Sequence, residues 1–316
     1  MEIISKNDIK KAFQDAGVSR GQIVYLQADL RNIGQIKGVK SREDFCRVYF
    51  ESIFEIIGEE GTLVVPTYTT QVARFDIDFV WEETPSLMGV FSEFVRQHPG
   101  SLRSCHPLHS LCAVGKDKEF ICKNNGANDF GWDSPFHRLL LKKAKILTIG
   151  LESGYVVGIA HPLEAACCLP YTYNKLLKWG VVVDGAKDRR QYFSTVRYLN
   201  INWEGYDLTL WAKHMRRLGG INSERLGGNW IHLSDYEQVF NEGSATLKDN
   251  PYFFLKESPN FEYGKIPFDG PTAQKDNIAS KEDVDNVKTI NWVGYYLLSD
   301  NYAGGDDHEL EYCRQE

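Results

Sequence analysis

No run of 18 or more apolar residues occurs in this 316-residue chain, so no segment reads as a membrane-spanning helix. Nor is there a basic excess: 36 Lys and Arg stand against 43 Asp and Glu, for a net charge of -7. That balance argues against a sequence-independent nucleic-acid binder. The seven cysteines include no CxxC pair, so they read as free thiols of a reducing compartment. Residues 1–13 lack a basic segment followed by an apolar run and a cleavage site, and the expectation is a cytoplasmic protein without a signal peptide. There is no Walker loop, no GxGxxG, no internal repeat and no low-complexity tract. What is present is globular: 42% hydrophobic and 25% charged residues exclude global disorder. The length suits two average domains or one large α/β domain.

Ser5 followed by Asp8, with apolar Ile9, Ala12 and Phe13 and a stop at Gly17, predicts a first helix. Residues 22–30 read as a buried strand. Ser41 caps a second helix, whose Phe45, Val48, Tyr49, Ile53, Ile56 and Ile57 recur at spacings of three and four. Further buried strands are expected over 62–69, 110–115 and 145–151, a surface loop over 70–85, and a helix over 87–97 capped by Ser86. Residues 181–199 read as an antiparallel hairpin turning at Asp184-Gly185. Interleaved strands and helices predict an α/β layered sandwich with a central β-sheet flanked by helices, made mixed by that hairpin. Residues 256–316 hold 13 acidic and 6 basic residues. The expected division is a body over 1–255 and an acidic extension over 256–316, packed on the body through the apolar 291–298.

Three segments concentrate chemistry. In 103–115, His106 and His109 lie beside Ser104, Ser110, Cys105 and Cys112, between a helix and a strand. Nitrogen and sulfur donors at short spacing admit a metal site or a Cys-His nucleophile. Pro107 disfavours the helical geometry that a His-x-x-His site uses, and loop histidines satisfied by backbone partners are the plainer reading. A polar loop at a strand's mouth is also where α/β proteins bind ligands. In 150–171, a short helix is expected to start near Val156, and His161 and Glu164, three apart, share one of its faces. An imidazole that can take a proton, oriented by a carboxylate, is what a general base needs. Their neighbours Ile159, Ala160, Leu163, Ala165 and Ala166 are apolar, and burying such a pair costs stability unless it serves a purpose. In 28–41, Gly34 and Gly38 allow close backbone approach while Arg31, Lys37 and Lys40 add positive charge. That suits a phosphate-bearing ligand, or an ordinary solvated loop.

Taken in order, these segments resemble the aminoglycoside 3-N-acetyltransferase family. The resemblance is carried by VYLQADLRNIG, GTLVVPTYT, FSEFVRQHPGSLRSCHPLHS, GWDSPFHRLL, KILTIGL, the His161-x-x-Glu164 helix, PYTYNK and NPYFFL, within residues 1–255. It departs where the family's His-x-Ser is here Gln27-Ala28-Asp29, and residues 256–316 have no counterpart. The family transfers an acyl group from acyl-CoA to an amine of a sugar, on a fold other than the GNAT fold. The resemblance therefore implies acetyl-CoA or a longer acyl-CoA as co-substrate, no metal, and a small-molecule amino sugar acceptor, with no nucleic acid or membrane partner. It implies His161 as general base, Glu164 as the carboxylate orienting it, and His106 as a further catalytic residue. Asp29, Leu30, Arg31, Gly34, Arg103, Ser104 and Ser110 would hold the pantetheine and pyrophosphate.

Relatives also acylate nucleotide-linked amino sugars of surface-glycan synthesis, and such a sugar is the expected acceptor here, with an aminoglycoside as the alternative. Two other classes stay open. One is a metal-dependent hydrolase using His106, His109 and His161; the other is a non-catalytic glycan-binding protein drawing on the 13% aromatic content. The sequence leaves the oligomeric state open.

Overall fold

Along the strand Ile23–Ala28, alternate side chains join different cores: Ile23 and Tyr25 one cluster, Val24 and Leu26 another. A strand buried on both faces must be the middle layer of a sandwich. The structure is a computed structural model that describes residues 2–74, 77–151, 158–177, 180–197 and 206–259. Its strands are β1 (Ile3–Ile4), β2 (Ile23–Ala28), β3 (Gln35–Ile36), β4 (Thr62–Pro66), β5 (Phe79–Val80), β6 (Leu102–Arg103) and β7 (Leu111–Gly115). They continue with β8 (Lys145–Ile149), β9 (Thr172–Leu176), β10 (Val181–Val183), β11 (Ala186–Lys187), β12 (Phe193–Arg197), β13 (Ile221–Leu226) and β14 (Asn229–Asp235). The helices are α1 (Lys6–Ala16), α2 (Arg42–Ile57), α3 (Gln71–Arg74), α4 (Val90–Gln97) and α5 (Lys118–Cys122). After them come α6 (Pro135–Leu141), α7 (Ala160–Cys167), α8 (Thr209–Arg217) and α9 (Tyr236–Asp249).

Seven strands form the central sheet in the order β13-β14-β8-β2-β4-β7-β6. Here β2 runs parallel to β4 and β8, whereas the β4–β7, β7–β6, β8–β14 and β14–β13 pairs are antiparallel. On one face Phe13, Tyr49, Ile53 and Val95, from α1, α2 and α4, pack against Val24, Leu63 and Leu147. On the other, Phe136, Leu163, Trp211 and Val239, from α6 to α9, pack against Tyr25, Val64 and Ile146. Each fully buried aliphatic side chain contributes about 1.5–3 kcal/mol. The expected layered sandwich with a mixed central sheet is thus observed.

Local signals account for the flanking helices. Ser5 and Asp8 form a complete capping box on α1, and Ser41 accepts from the Asp44 N–H to cap α2. Such caps are worth about 1 kcal/mol each.

Several expectations need correction. Segment 70–85 is not simply a loop, because it contains α3 and β5, and β5 pairs parallel with β10. Ser86 does not cap α4: the N-cap is Gly89, and the Ser86 hydroxyl instead accepts from the Met88 N–H. Asp184 and Gly185 do turn the β10–β11 hairpin, both at positive φ, but that hairpin joins β5 in a separate sheet. The central sheet is mixed because β7 and β14 run against its other five strands instead. Strand β12 pairs antiparallel with β9. The start of a helix near Val156 and the apolar run 291–298 lie outside the described residues, as does the extension from residue 260 onward.

Candidate functional site

The parallel strands β2, β4 and β8 end on one edge of the sheet, where open α/β sheets bind ligands. At that edge Gln27 donates from Nε2 to the carbonyl of Gly158 at 2.8 Å. A Cβ at position 158 would lie 2.2 Å from Gln27 Nε2, and the residue sits at φ +53, so a side chain there would be strained and would push Gln27 aside. Helix α7 begins two residues later and carries His161 and Glu164 on one face.

The Nδ1 of His161 lies 2.8 Å from Glu164 Oε2. Glu164 is buried, and its Oε1 also accepts from the Tyr171 hydroxyl at 2.8 Å. The Tyr206 hydroxyl donates between both carboxylate oxygens, 2.7 Å from each, and stands 3.3 Å from His161 Nδ1. Burial alone would raise the Glu164 carboxyl. The hydrogen bond and charge of His161, the Arg197 charge and the Tyr206 hydroxyl outweigh it and hold the carboxyl below its ordinary range. Glu164 therefore stays ionised beneath a ring whose side chain is 35% exposed. With Nδ1–H held by the carboxylate, Nε2 is the basic nitrogen of His161.

His106 sits nearby but is engaged differently. Its Nδ1 accepts from the backbone N–H groups of Leu108 and His109, at 3.2 and 3.1 Å, and its Nε2–H donates to the Phe193 carbonyl at 2.9 Å. Burial lowers its pKa to about 4 against the pull of Asp129. Both ring nitrogens of His106, expected to be catalytic, are used in holding the loop, and burial keeps the ring neutral. His109 instead points Nδ1 at Asp129 Oδ2, 2.7 Å away. Among the described residues, His106, His109 and Asp129 are the cluster whose donor atoms could share a metal, within 4.8 Å of one another. His161 is not in it, so the trio expected for a metal-dependent hydrolase is not assembled.

Of the residues expected to hold coenzyme A, three polar ones face inward. Arg103 is buried and donates to Ser110 Oγ at 3.0 Å and to the carbonyls of Thr84 and Thr67 at 2.6 and 2.9 Å. Its guanidinium lies 4.8 Å above the Phe79 ring, and burial lowers its pKa to about 9. Ser110 Oγ donates to the Thr67 carbonyl, and Ser104 Oγ accepts from the Leu111 N–H. The Arg103 bonds clasp the β5 segment onto β4 and β6, and Ser104 and Ser110 tie β6 to β7 and β4. Leu30 is core, and a Cβ on Gly34, at φ +145, would meet the Glu2 carbonyl at 2.7 Å. Asp29 grips the exposed Arg31, accepting from its Nε at 2.9 Å.

Three members of the site, Asp129, Tyr171 and Tyr206, were not among the expected residues. Tyr171 lay within the PYTYNK segment already singled out. Asp129 and Tyr206 reach the histidines from 20 and 45 residues away, with no local pattern to mark them.

The family model described as aminoglycoside 3-N-acetyltransferase matches residues 26–248. The chain is 23% identical to aminoglycoside N(3)-acetyltransferase IX of Micromonospora chalcea, covering 75% of this chain and 91% of that protein. It is 21% identical to the prophage-derived aminoglycoside N(3')-acetyltransferase-like protein YokD of Bacillus subtilis strain 168, covering 69% and 85%. The fold is similar to that of aminoglycoside acetyltransferase AAC(3)-IIb, with a TM-score of 0.66 at 17% identity over 81% of this chain and 100% of that one. It is also similar to AAC-IIIb in its binary complex with CoASH, with a TM-score of 0.64 at 17% identity over 82% and 100%. Among the described residues, no helix is long and apolar enough to cross a membrane.

Proposed function

This chain belongs to the aminoglycoside 3-N-acetyltransferase family, and we propose that it moves an acetyl group from acetyl-CoA to an amine of an aminoglycoside. The observation that carries this reading is the His161–Glu164 pair, with its carboxylate buried under two tyrosine hydroxyls. A sugar ammonium must lose a proton before its nitrogen can attack a thioester. His161 takes that proton on Nε2, and Glu164 fixes the ring and balances its charge.

Relatives' names support an aminoglycoside over the nucleotide-linked sugar expected from the sequence. The relative bound to CoASH supports coenzyme A as the acyl carrier. Arg31, set by Asp29 at the surface, suits a phosphate of that carrier. We further take the chain to be cytoplasmic and to differ from the GNAT fold, with residues 256–316 an extension beyond the matched 26–248.

The test is coenzyme A release by the purified full-length chain, given acetyl-CoA and either a panel of aminoglycosides or a nucleotide-linked amino sugar. Release with aminoglycosides alone is expected. Release only with the nucleotide-linked sugar would restore that acceptor, and release with neither would sink the reading.

A further inference from the structure

His161 and Glu164 are not the only histidine–carboxylate pair at this edge. His109 Nδ1 lies 2.7 Å from Asp129 Oδ2, and Asp129 is fully buried. The Asp129 carboxylate also accepts from the Ser194 hydroxyl and from the backbone N–H groups of Phe130 and Thr195, at 3.0 and 3.1 Å. Burial would raise this carboxyl, but the hydrogen bond from His109, the charges of His106 and His109 and the Ser194 hydroxyl keep it below its ordinary range. The two catalytic-type rings face each other: the His109 and His161 centroids are 6.5 Å apart. Phe130 packs against both, at 4.8 and 5.9 Å. A buried carboxylate set on an imidazole next to a second such pair is more than the fold requires, and pairs of this kind concentrate where protons move.

We propose that His109, held by Asp129, is a second catalytic residue of the transfer, giving its proton to the departing coenzyme A sulfur while His161 takes one from the attacking nitrogen. The proposal rests on the acetyl-transfer reading above. The ammonium first gives a proton to His161, which releases it to solvent; the free amine nitrogen then forms a bond to the thioester carbonyl carbon and gives a second proton to His161. The carbon–sulfur bond breaks, its electron pair goes to sulfur, and sulfur receives the proton carried on His109 Nε2. His161 then returns its proton to His109, directly or through water, so amine plus thioester becomes amide plus thiol with both rings restored.

Exposure decides which ring has which task. The His161 side chain is 35% exposed and the His109 side chain 12%. A bulky sugar reaches the open ring, whereas the slender acyl thioester reaches the deeper one. The groups facing His109 are the Asp129 carboxylate, the His106 ring at 6.2 Å, His161 with Glu164 behind it, and Tyr68 edge-on at 4.9 Å. Burial keeps His106 neutral and pushes the Tyr68 phenol up, so neither supplies the proton near neutral pH.

The test is kcat and the KM for acetyl-CoA of the native chain, His109→Gln and Asp129→Asn, with thermal unfolding of each, and with acetyl-CoA set against an acetyl thioester of a more acidic thiol. His109→Gln should be about 10²-fold slower with acetyl-CoA, with KM and thermal unfolding near native. The loss should shrink with the more acidic leaving thiol, which departs without a proton. Asp129→Asn, which keeps the ring but loses the carboxylate that holds it, should fall between the native chain and His109→Gln. A His109→Gln protein with native kcat, or a loss of equal size with both thioesters, would overturn the proposal. Failure of the native chain to acetylate any amino sugar would instead count against the acetyl-transfer reading.

Discussion

The hydroxyl of Tyr206 bridges both oxygens of Glu164 at 2.7 Å each, which makes the carboxylate a fixed platform for His161. Arg197 stacks on the same tyrosine, 4.7 Å from the ring centroid, and its charge reaches Glu164. The orienting carboxylate of α7 is thus secured from a distant part of the chain.

Removing that hydroxyl should weaken the platform without emptying it. A Tyr206→Phe protein loses about 1–2 kcal/mol of support for the ionised carboxylate, equivalent to a roughly tenfold fall in kcat. The Glu164 carboxyl rises as a donor is lost, so the acid limb of kcat should move to higher pH. A pH–rate profile identical to native would show that Tyr206 does not act through Glu164.

The chain should lose stability in mild acid because of His106. Its folded pKa of about 4 lies below the ordinary 6.5, so between those values the unfolded chain binds a proton that the folded chain refuses. The stability tied to the neutral ring is fully present above about pH 6.5 and is lost as pH falls toward 4, by up to about 3 kcal/mol. His232, likewise lowered to about 4, acts in the same direction. Thermal unfolding at pH 7.5 and pH 5 should show a large drop for the native chain. The drop should be smaller for His106→Gln; equal drops would refute the assignment.

Arg103 separates a structural from a ligand-binding role. An Arg103→Lys protein cannot reach Ser110, Thr84 and Thr67 together, and leaving those buried acceptors unpaired should cost about 2–4 kcal/mol. Its KM for acetyl-CoA should match that of the native chain. A raised KM with unchanged thermal stability would return Arg103 to the coenzyme A site.

Features set by neighbouring residues were legible in the sequence. The Ser5–Asp8 capping box, the Ser41 cap and apolar spacing placed α1 and α2, and i,i+3 spacing placed His161 and Glu164 on one helix face. Features set by chain reversal were not. Asp129 and Tyr206 reach the histidines, and Ser194 reaches Asp129, only after folding, and nothing in their local sequence distinguishes them. The backbone partners of Arg103, Ser104 and Ser110 were not legible either, because polar residues in a compact motif look alike whether they face a ligand or clasp a backbone. The hairpin at Asp184-Gly185 was readable from its turn, but its partner β5 lay in a segment too polar to mark as a strand.

The account turns on His161 as the proton acceptor, and initial rates of coenzyme A release from acetyl-CoA and an aminoglycoside test it most directly. The comparison is between the native chain and His161→Gln at matched thermal stability. The expected result is a native chain that turns over and a variant about 10²–10⁴-fold lower in kcat, with its KM for acetyl-CoA preserved. A His161→Gln protein that transfers acetyl groups at the native rate would contradict it.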